Sequence, residues 1–364
     1  MKTTKLVLAA VTGVLLVATG VQAQVDINIS GAVAFRDTSY RAIRSLYGAN
    51  LASENPDSPG NPPSSIRITW SGQITNLFGN QTVTIRANYN GAVAGIQDLV
   101  QNRNVSYRSS STAGDTNLVN LQSDIAYGSV FQASTVFTSP ALVDSKFGVT
   151  PVFFVKSVGA PAGLTNITRQ QFRALAANGA LPGWFFTGNA ADTNLIYYIS
   201  RDTTAGQRVI VQKESIFTGS IVAYQWSSNA LDFVLNSGGI ASSAVIRDQL
   251  NAATKPAISF LTGVDAVNVN SGQNIIGYNG YRAFTGATYS NVTNDLSNVI
   301  NGQYSQWGYE HVFVRSSASP NVVSLKNALL AAIDTDLQTS AHSLPLSKVK
   351  VERASEGGVI TPVP

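Results

Sequence analysis

The chain contains no cysteine, and of its 364 residues one is methionine and two are histidine. Without thiols there are no disulfides and no thiolate metal sites, and a lipid anchor that needs an N-terminal cysteine is excluded. His311 and His342 are too few, without cysteine, for the common zinc sites. His311 lies in "WGYEHVF", beside aromatics, where packing or hydrogen bonding is the expected role. Charge is scarce as well. Asp, Glu, Lys and Arg make up 12% of the chain and form no basic cluster, so no nucleic-acid partner is expected. No G-x-S-x-G elbow, P-loop or H-E-x-x-H occurs. Asp334 and Asp336 read as solvated charge near a helix end. A secreted hydrolase would need a nucleophile, a base and oxyanion donors converging. No pattern supplies them, so a protein that is not an enzyme, with no cofactor, is expected.

An export signal opens the chain. Lys2 and Lys5 precede an apolar run from Leu6 to Val17, and "VQA" at 21–23 is a small-residue cleavage site. Residues 1–23 therefore read as a signal peptide, and the mature chain is expected to be periplasmic or secreted. The apolar run is too short to span a bilayer and no similar run follows, so no stable membrane insertion is expected. Loss of Lys2 and Lys5 lowers the formal net charge from +4 to +2. The remaining 341 residues (364 − 23) are too many for one ordinary core, which implies two domains. No oligomerisation signal is present, and a monomer is expected.

Strands alternate with helices. "VDINIS" alternates as a strand, and "FRDTSYRAIRSLYG" has helical spacing with Gly48 as its C-cap. "ASENPDSPGNPPSS" (52–65) and "QNRNVSYRSSSTAGDTNL" (101–118) read as polar loops. "IRITWSG", "QTVTIRANY", "SDIAYG", "VTPVFFVKS" and "PAISFLT" read as strands. "NGAVAGIQDLVQN" is a turn into a helix. In "TNITRQQFRALAANG", Thr168 and Gln171 form a capping box and Gly179 ends the helix. "LSNVINGQYSQWGYEHVFV" and "VSLKNALLAAIDTDL" close the chain as a loop and a final helix. The pattern is α/β, with open sheets and ligands beyond the strand ends.

Three turns after strands offer small residues and bare backbone amides: "SGAVAFRD" (30–37), "NGAVAG" (90–95) and "SRDTTAGQ" (200–207). Helix N-termini and such amides favour an anion, and Arg201 would add a charge. The same turns are also ordinary polar connections on a surface.

In their order, these segments resemble the periplasmic phosphate-binding proteins, the soluble receptors of phosphate ABC transporters. "ISGAVAFRDTSYRAI" is similar to the family's opening strand, turn and first helix. "ANYNGAVAGIQDL" resembles its glycine-serine turn before a helix. "ITRQQFRALAANG…FTGNAADTNLIYYISRDTTAGQR" resembles a helix followed by a strand ending in R-x-x-x-S-G-T, and "INGQYSQWGYEHVF" a late segment. With "DIAYGSVFQAS" and the final helix, the likeness spans most of the mature chain.

The resemblance implies a type 2 periplasmic-binding fold. It has two α/β lobes, each an open mixed sheet flanked by helices, joined by two hinge crossings with the ligand between them. Lobe I would comprise 24–145 and 265–364, and lobe II 146–264. The implied ligand is phosphate or a related oxyanion, and the implied partner an ABC transporter permease. The implied site is Ala34, Phe35, Arg36, Ala92, Ser129, Arg201, Ala205, Gly206 and Gln207. It departs from the family's pattern. Ala92, Ala205 and Gln207 replace hydroxyl residues, and Gly128–Ser129 stands where a serine and an aspartate are usual. An ionised carboxylate only accepts, so it favours a ligand that still carries a proton, and without it phosphate and sulfate are poorly told apart. Two or three lost hydrogen bonds, at about 1.5–3 kcal/mol each, would cost roughly three to six powers of ten in affinity if uncompensated. Gln207, Ser129, Thr203, Thr204 and Arg36 are candidates to compensate, although Arg36 reads equally as a solvated residue of its helix. The alternative is the same fold with another ligand, or a vestigial cleft in a secreted or cell-surface scaffold protein.

Overall fold

The computed structural model describes residues 24–364. The expected signal peptide lies outside the described residues, and among these no helix is long and apolar enough to cross a membrane.

Alternating apolar residues build the first half of the sheet. In β1 (Val25–Gly31), Val25, Ile27 and Ile29 are all buried. β2 (Leu51–Pro56), β3 (Arg67–Gly72) and β4 (Val83–Asn88) follow. A separate hairpin, β5 (Asn104–Arg108) with β6 (Leu118–Gln122), precedes β7 (Ile125–Gly128). β1 lies between β4 and β7 and is parallel to both. The loop expected over 52–65 begins instead as the edge strand β2, antiparallel to β3. Proline is tolerated at such an edge, and Pro56 ends the strand. The loop expected over 101–118 likewise holds β5. Its polar residues mask an alternation that buries Val105 and Tyr107.

β8 (Val143–Lys156) runs fourteen residues and links the two halves of the sheet. Beyond it come β9 (Asn166–Ile167), β10 (Ala180–Pro182), β11 (Leu195–Tyr198) and the hairpin β12 (Tyr224–Ser227) with β13 (Asp232–Leu235). β14 (Ala257–Thr262), β15 (Ile275–Tyr278), β16 (Trp307–Val314), β17 (Leu344–Pro345) and the antiparallel pair β18 (Val351–Glu352) with β19 (Thr361–Pro362) complete the set. The sheet runs β10-β11-β14-β8-β16-β7-β1-β4-β3-β2. The first part of β8 pairs with β16, and its last part with β14 and β15. β15 also pairs with β9. β16, expected within a closing loop, is a central strand with all eight residues buried, so it shows no polar alternation to read.

Helices cover the sheet. The helix Arg169–Asn178 has the expected capping box. The Thr168 hydroxyl accepts the Gln171 amide at 3.2 Å, the Gln171 side chain accepts the Thr168 amide at 2.9 Å, and Gly179 closes the helix in the left-handed region. The long helix Pro320–Leu337 starts at Ser319 and turns Leu325, Leu329 and Ile333 inward. Two apolar clusters result. One gathers Phe153, Phe154, Phe172, Tyr198 and Phe260, and the other Ile27, Trp70, Tyr127, Leu325 and Leu329. Each such buried side chain contributes about 1.5–3 kcal/mol, which holds the strand ends of the two groups in fixed positions.

Candidate functional site

Four turns at strand ends converge where the two groups of strands meet. They follow β1, β4, β7 and β11. The second opens the helix Ala92–Val100, and the fourth opens the helix Gly206–Glu214. Their approach is close. The Val93 amide donates across the seam to the Thr204 carbonyl at 3.1 Å. Gly91 has φ of +120°, and a Cβ there would lie 2.9 Å from the Thr204 carbonyl oxygen. A Cβ on Gly206 would lie 2.1 Å from Ser129 Oγ and 3.0 Å from Ala92 Cβ. Only glycine fits at these two contacts.

Seven of the nine residues named from the sequence line one small cavity between these turns: Ala34, Ala92, Ser129, Arg201, Ala205, Gly206 and Gln207. It measures about 10 Å³, close to the room one water needs. Phe35 is not at its surface. Its ring is buried against Phe147 and Tyr127, and its amide donates to the Ala32 carbonyl at 3.3 Å. Arg36 lines a neighbouring chamber of about 240 Å³, which shares Val33, Ala34 and Gln207 with the small cavity.

Arg201 is 2% exposed. Its Nε donates to the Ile240 carbonyl at 3.0 Å and its Nη2 to the Ala241 carbonyl at 2.7 Å. Its Nη1 donates to Gln207 Oε1 at 2.6 Å and to the Ser243 hydroxyl. All four acceptors are neutral, and no carboxylate of the described residues is in ion-pair contact with it. Burial pulls its pKa down to about 10, against the pull of Asp202 and Asp265. Asp202 is turned to its own loop, accepting the Thr204 amide at 3.1 Å and the Thr204 hydroxyl at 2.8 Å. Among the described residues no acceptor meets the backbone amides of Ala34, Ala92, Gly206 or Gln207. The cavity is thus walled by amide donors and one desolvated guanidinium, and no carboxylate lines it. Such a wall accepts electron-rich oxygen and repels cations.

The sequence reading missed the support behind Arg201. The segment 240–243 runs parallel beside it through an Arg201–Ile240 bridge and presents Ser243. It also missed the acidic wall of the larger chamber. Asp265 is 5% exposed and 3.3 Å from Arg247. Its carboxyl is raised by burial, a shift opposed by Arg36, Arg247 and Arg201. "ASSA" ahead of the helix Ser243–Ala252 was the available hint. His311 is fully buried, its Nδ1 2.8 Å from Asp144, as a packing and hydrogen-bonding role requires.

The chain matches no family model and no curated protein. Solved structures do resemble it. A protein of Clostridium perfringens, described as a phosphate ABC transporter substrate-binding protein and solved with bound phosphate, is similar over 88% of this chain and 99% of its own. The TM-score is 0.55 at 13% identity. An ABC-type phosphate transport receptor of Vibrio cholerae is similar over 84% of this chain and 93% of its own, with a TM-score of 0.49 at 15% identity. On the likeness to the Clostridium perfringens protein, the chain has the type 2 periplasmic-binding fold, a large mixed sheet flanked by helices. The resemblance read from the order of the turns is borne out at the level of the fold, and these neighbours are binding proteins by description.

Proposed function

We propose that this chain is an exported solute-binding protein that captures phosphate or a related oxyanion between two lobes. One observation carries the reading: Arg201, a buried guanidinium without a carboxylate partner, and four residues whose backbone amides meet no protein acceptor line one cavity. Buried donors left without acceptors are costly, at about 1–3 kcal/mol each, and an oxyanion would satisfy several at once. Arg201 supplies the charge, Ala34, Ala92, Gly206 and Gln207 the amides, and Ser129 a hydroxyl. Ala205 shapes the helix entry, Phe35 anchors the first turn, and Arg36 adds positive charge from the adjoining chamber. Entry requires the seam to part, because about 10 Å³ does not admit a tetrahedral ion. Opening breaks the Val93–Thr204 hydrogen bond and separates Ser129 from Gly206. Closure around the ion is the transition this fold performs.

The lobes we propose follow the expected division, with one change. Residues 265–306 go with 146–264, since β15 pairs with β9 and the far end of β8, Phe284, Tyr289 and Tyr304 pack in the cluster of Phe153 and Phe260, and the chain returns through β16. Delivery to a membrane permease and a monomeric state complete the reading. The test is isothermal titration of residues 24–364, unfolded and refolded to remove bound ions, with phosphate and then sulfate at neutral pH. With no carboxylate at the cavity, both should bind, with dissociation constants within about tenfold of each other. Heat from neither would end the oxyanion reading.

The tightness of the seam favours one second reading, a vestigial cleft in a scaffold protein. There the Thr204 carbonyl permanently holds the N-terminus of the helix Ala92–Val100, and neither ion would bind.

A further inference from the structure

We propose that the C-terminal hairpin is a clasp that ties the two walls of the cavity together and sets how readily the seam parts. A chain end without anchors frays. Here β18 and β19 pair, the Lys350 amide donates to the Ile300 carbonyl at 3.0 Å, and the Val363 amide closes the hairpin on the Lys350 carbonyl at 2.9 Å. Arg353 and Glu356, between the two strands, are buried at 3% and 5% exposure. Burying a charge is costly unless it is paired or hydrogen-bonded, and each of these finds its partners on a different wall.

Arg353 grips the proposed lobe II. Its Nη1 donates to Glu214 Oε2 and to the Ser305 carbonyl, both at 3.2 Å, and its guanidinium lies 4.0 Å from the centre of the Trp307 ring. Arg169 comes within 3.8 Å of the other Glu214 oxygen. Glu214 ends the helix Gly206–Glu214, whose first two residues line the cavity. Glu356 grips the proposed lobe I. Its Oε1 accepts the Phe131 amide at 2.9 Å and its Oε2 the Ser134 hydroxyl. Phe131 follows Ser129, which lines the cavity opposite Gly206, by two residues. Next to Glu356 the hairpin runs tight against the helix end, where a Cβ on Gly357 would lie 2.3 Å from the Lys213 carbonyl oxygen.

The helix Gly206–Glu214 is therefore held at both ends, by Ser129 at the seam and by the hairpin at Glu214. Moving it away from Ser129 stretches the chain of contacts Phe131–Glu356–Arg353–Glu214. The clasp stabilises the shut form with or without an ion inside. It slows entry and exit alike and leaves the affinity nearly unchanged, because it has no differential contact with the ion. It holds the seam whichever ion binds, so it goes beyond the oxyanion reading without relying on it.

The Val93 amide reports on the seam without any ligand. It lies in the first turn of its helix, where an amide has no partner within the helix, and donates across the seam to the Thr204 carbonyl at 3.1 Å. Hydrogen exchange of residues 24–364, followed by NMR, compares it with the Ile199 amide, which donates to the Ile258 carbonyl within one lobe at 3.0 Å. In Glu356→Ala the Val93 amide is expected to exchange at least about tenfold faster, and the Ile199 amide within about twofold of its original rate. Gly357→Ala wedges the hairpin off the helix without removing a charge. It should do the same, and it decides if Glu356→Ala does not fold. Stopped-flow mixing with phosphate should show association and dissociation rates raised by the same factor. An unmoved Val93 amide, Val93 and Ile199 quickening alike, or unmoved rates would each overturn the clasp. Phosphate binding to neither variant nor the unaltered protein would end the oxyanion reading, and exchange alone would then decide the clasp.

Discussion

Replacing Arg201 by Met separates a binding role from a structural one. In the free protein the guanidinium is nearly fully buried among neutral acceptors. Burial, which pulls its pKa down to about 10, corresponds to roughly 3 kcal/mol of unfavourable charge desolvation. Arg201→Met relieves it. The same change orphans the buried Gln207 Oε1, at about 1–3 kcal/mol, while the carbonyl of the exposed Ala241 can turn to water. The Ile240 carbonyl keeps the Asp202 amide at 3.2 Å. These contributions nearly cancel, so the stability of the ligand-free variant should stay within about 2 kcal/mol of the original. Binding has no such compensation. Loss of one partner of a desolvated charge pair weakens binding by about 2–5 kcal/mol, or roughly 30- to 5000-fold in affinity. Denaturant unfolding measures the first quantity and isothermal titration with phosphate or sulfate the second. An affinity change under about tenfold, in a variant that folds, would refute the assignment of Arg201 as the charge partner.

Three further outcomes follow from the same structure. Gly206→Ala sets a methyl against Ser129 Oγ and Ala92 Cβ. Overpacking of that kind costs about 1–3 kcal/mol, so the melting temperature should fall, and small-angle scattering should show a larger radius of gyration as the seam parts. An unchanged radius and melting point would contradict the tight seam. Glu310 is fully buried, with Oε1 accepting the Ser343 hydroxyl at 3.0 Å and Oε2 unpartnered, and burial raises its pKa well above the usual carboxylate value. The folded chain then keeps a proton that the unfolded chain releases near pH 4.5, so this contribution to stability is full below that pH and declines as pH rises toward the raised pKa. Glu310→Gln should therefore stabilise the protein at pH 7 more than at pH 4, and equal shifts at both in thermal scans would refute an ionisable Glu310. Thr168→Ala removes the capping box and should cost about 1 kcal/mol, lowering the melting temperature by roughly 1–2 °C in calorimetry. No shift would mean that the helix Arg169–Asn178 is held by packing alone.

What was legible in the sequence had a local physical cause. β1 shows its apolar alternation, and the helix Arg169–Asn178 is written in its Thr168, Gln171 and Gly179. β16 is buried on every side, including Glu310 and His311, so neither period nor polarity marked it. β5 was masked by polar residues of its hairpin, whose strands are separated by nine residues without a short turn signature. β2 was masked by Pro56, which an edge strand accommodates. The candidate site follows the same rule. Turns that end strands could be found one by one, and they led to Ala34, Ala92, Ser129, Arg201, Ala205, Gly206 and Gln207 around one cavity. Ser243, Thr262 and Asp265 reach the same region through tertiary packing, from segments whose local marks, "ASSA" at 241–244 and Gly263 after β14, do not say which turns they meet.

The replaced hydroxyls then matter less than their number suggests. Ala92, Ala205 and Gln207 change side chains, but Ala92, Gly206 and Gln207 still present amides, which no substitution except proline removes. What the altered residues take away is selectivity, since Ser129 stands without a carboxylate after it, and space, since small residues let the turns meet. Whether the cleft is a receptor or a relic is then a comparison of energies. The seam is held by the Val93–Thr204 backbone hydrogen bond, worth about 0.5–1.5 kcal/mol, by the Ser129–Gly206 contact, by the buried Arg353–Glu214 ion pair at 3.2 Å, and by the apolar cluster that holds Val93 and Val130 together with Ile210 and Val211. Opening therefore costs more than that hydrogen bond alone, and titration decides between the two readings: binding of phosphate or sulfate makes the seam a gate, and heat from neither makes the cleft a relic.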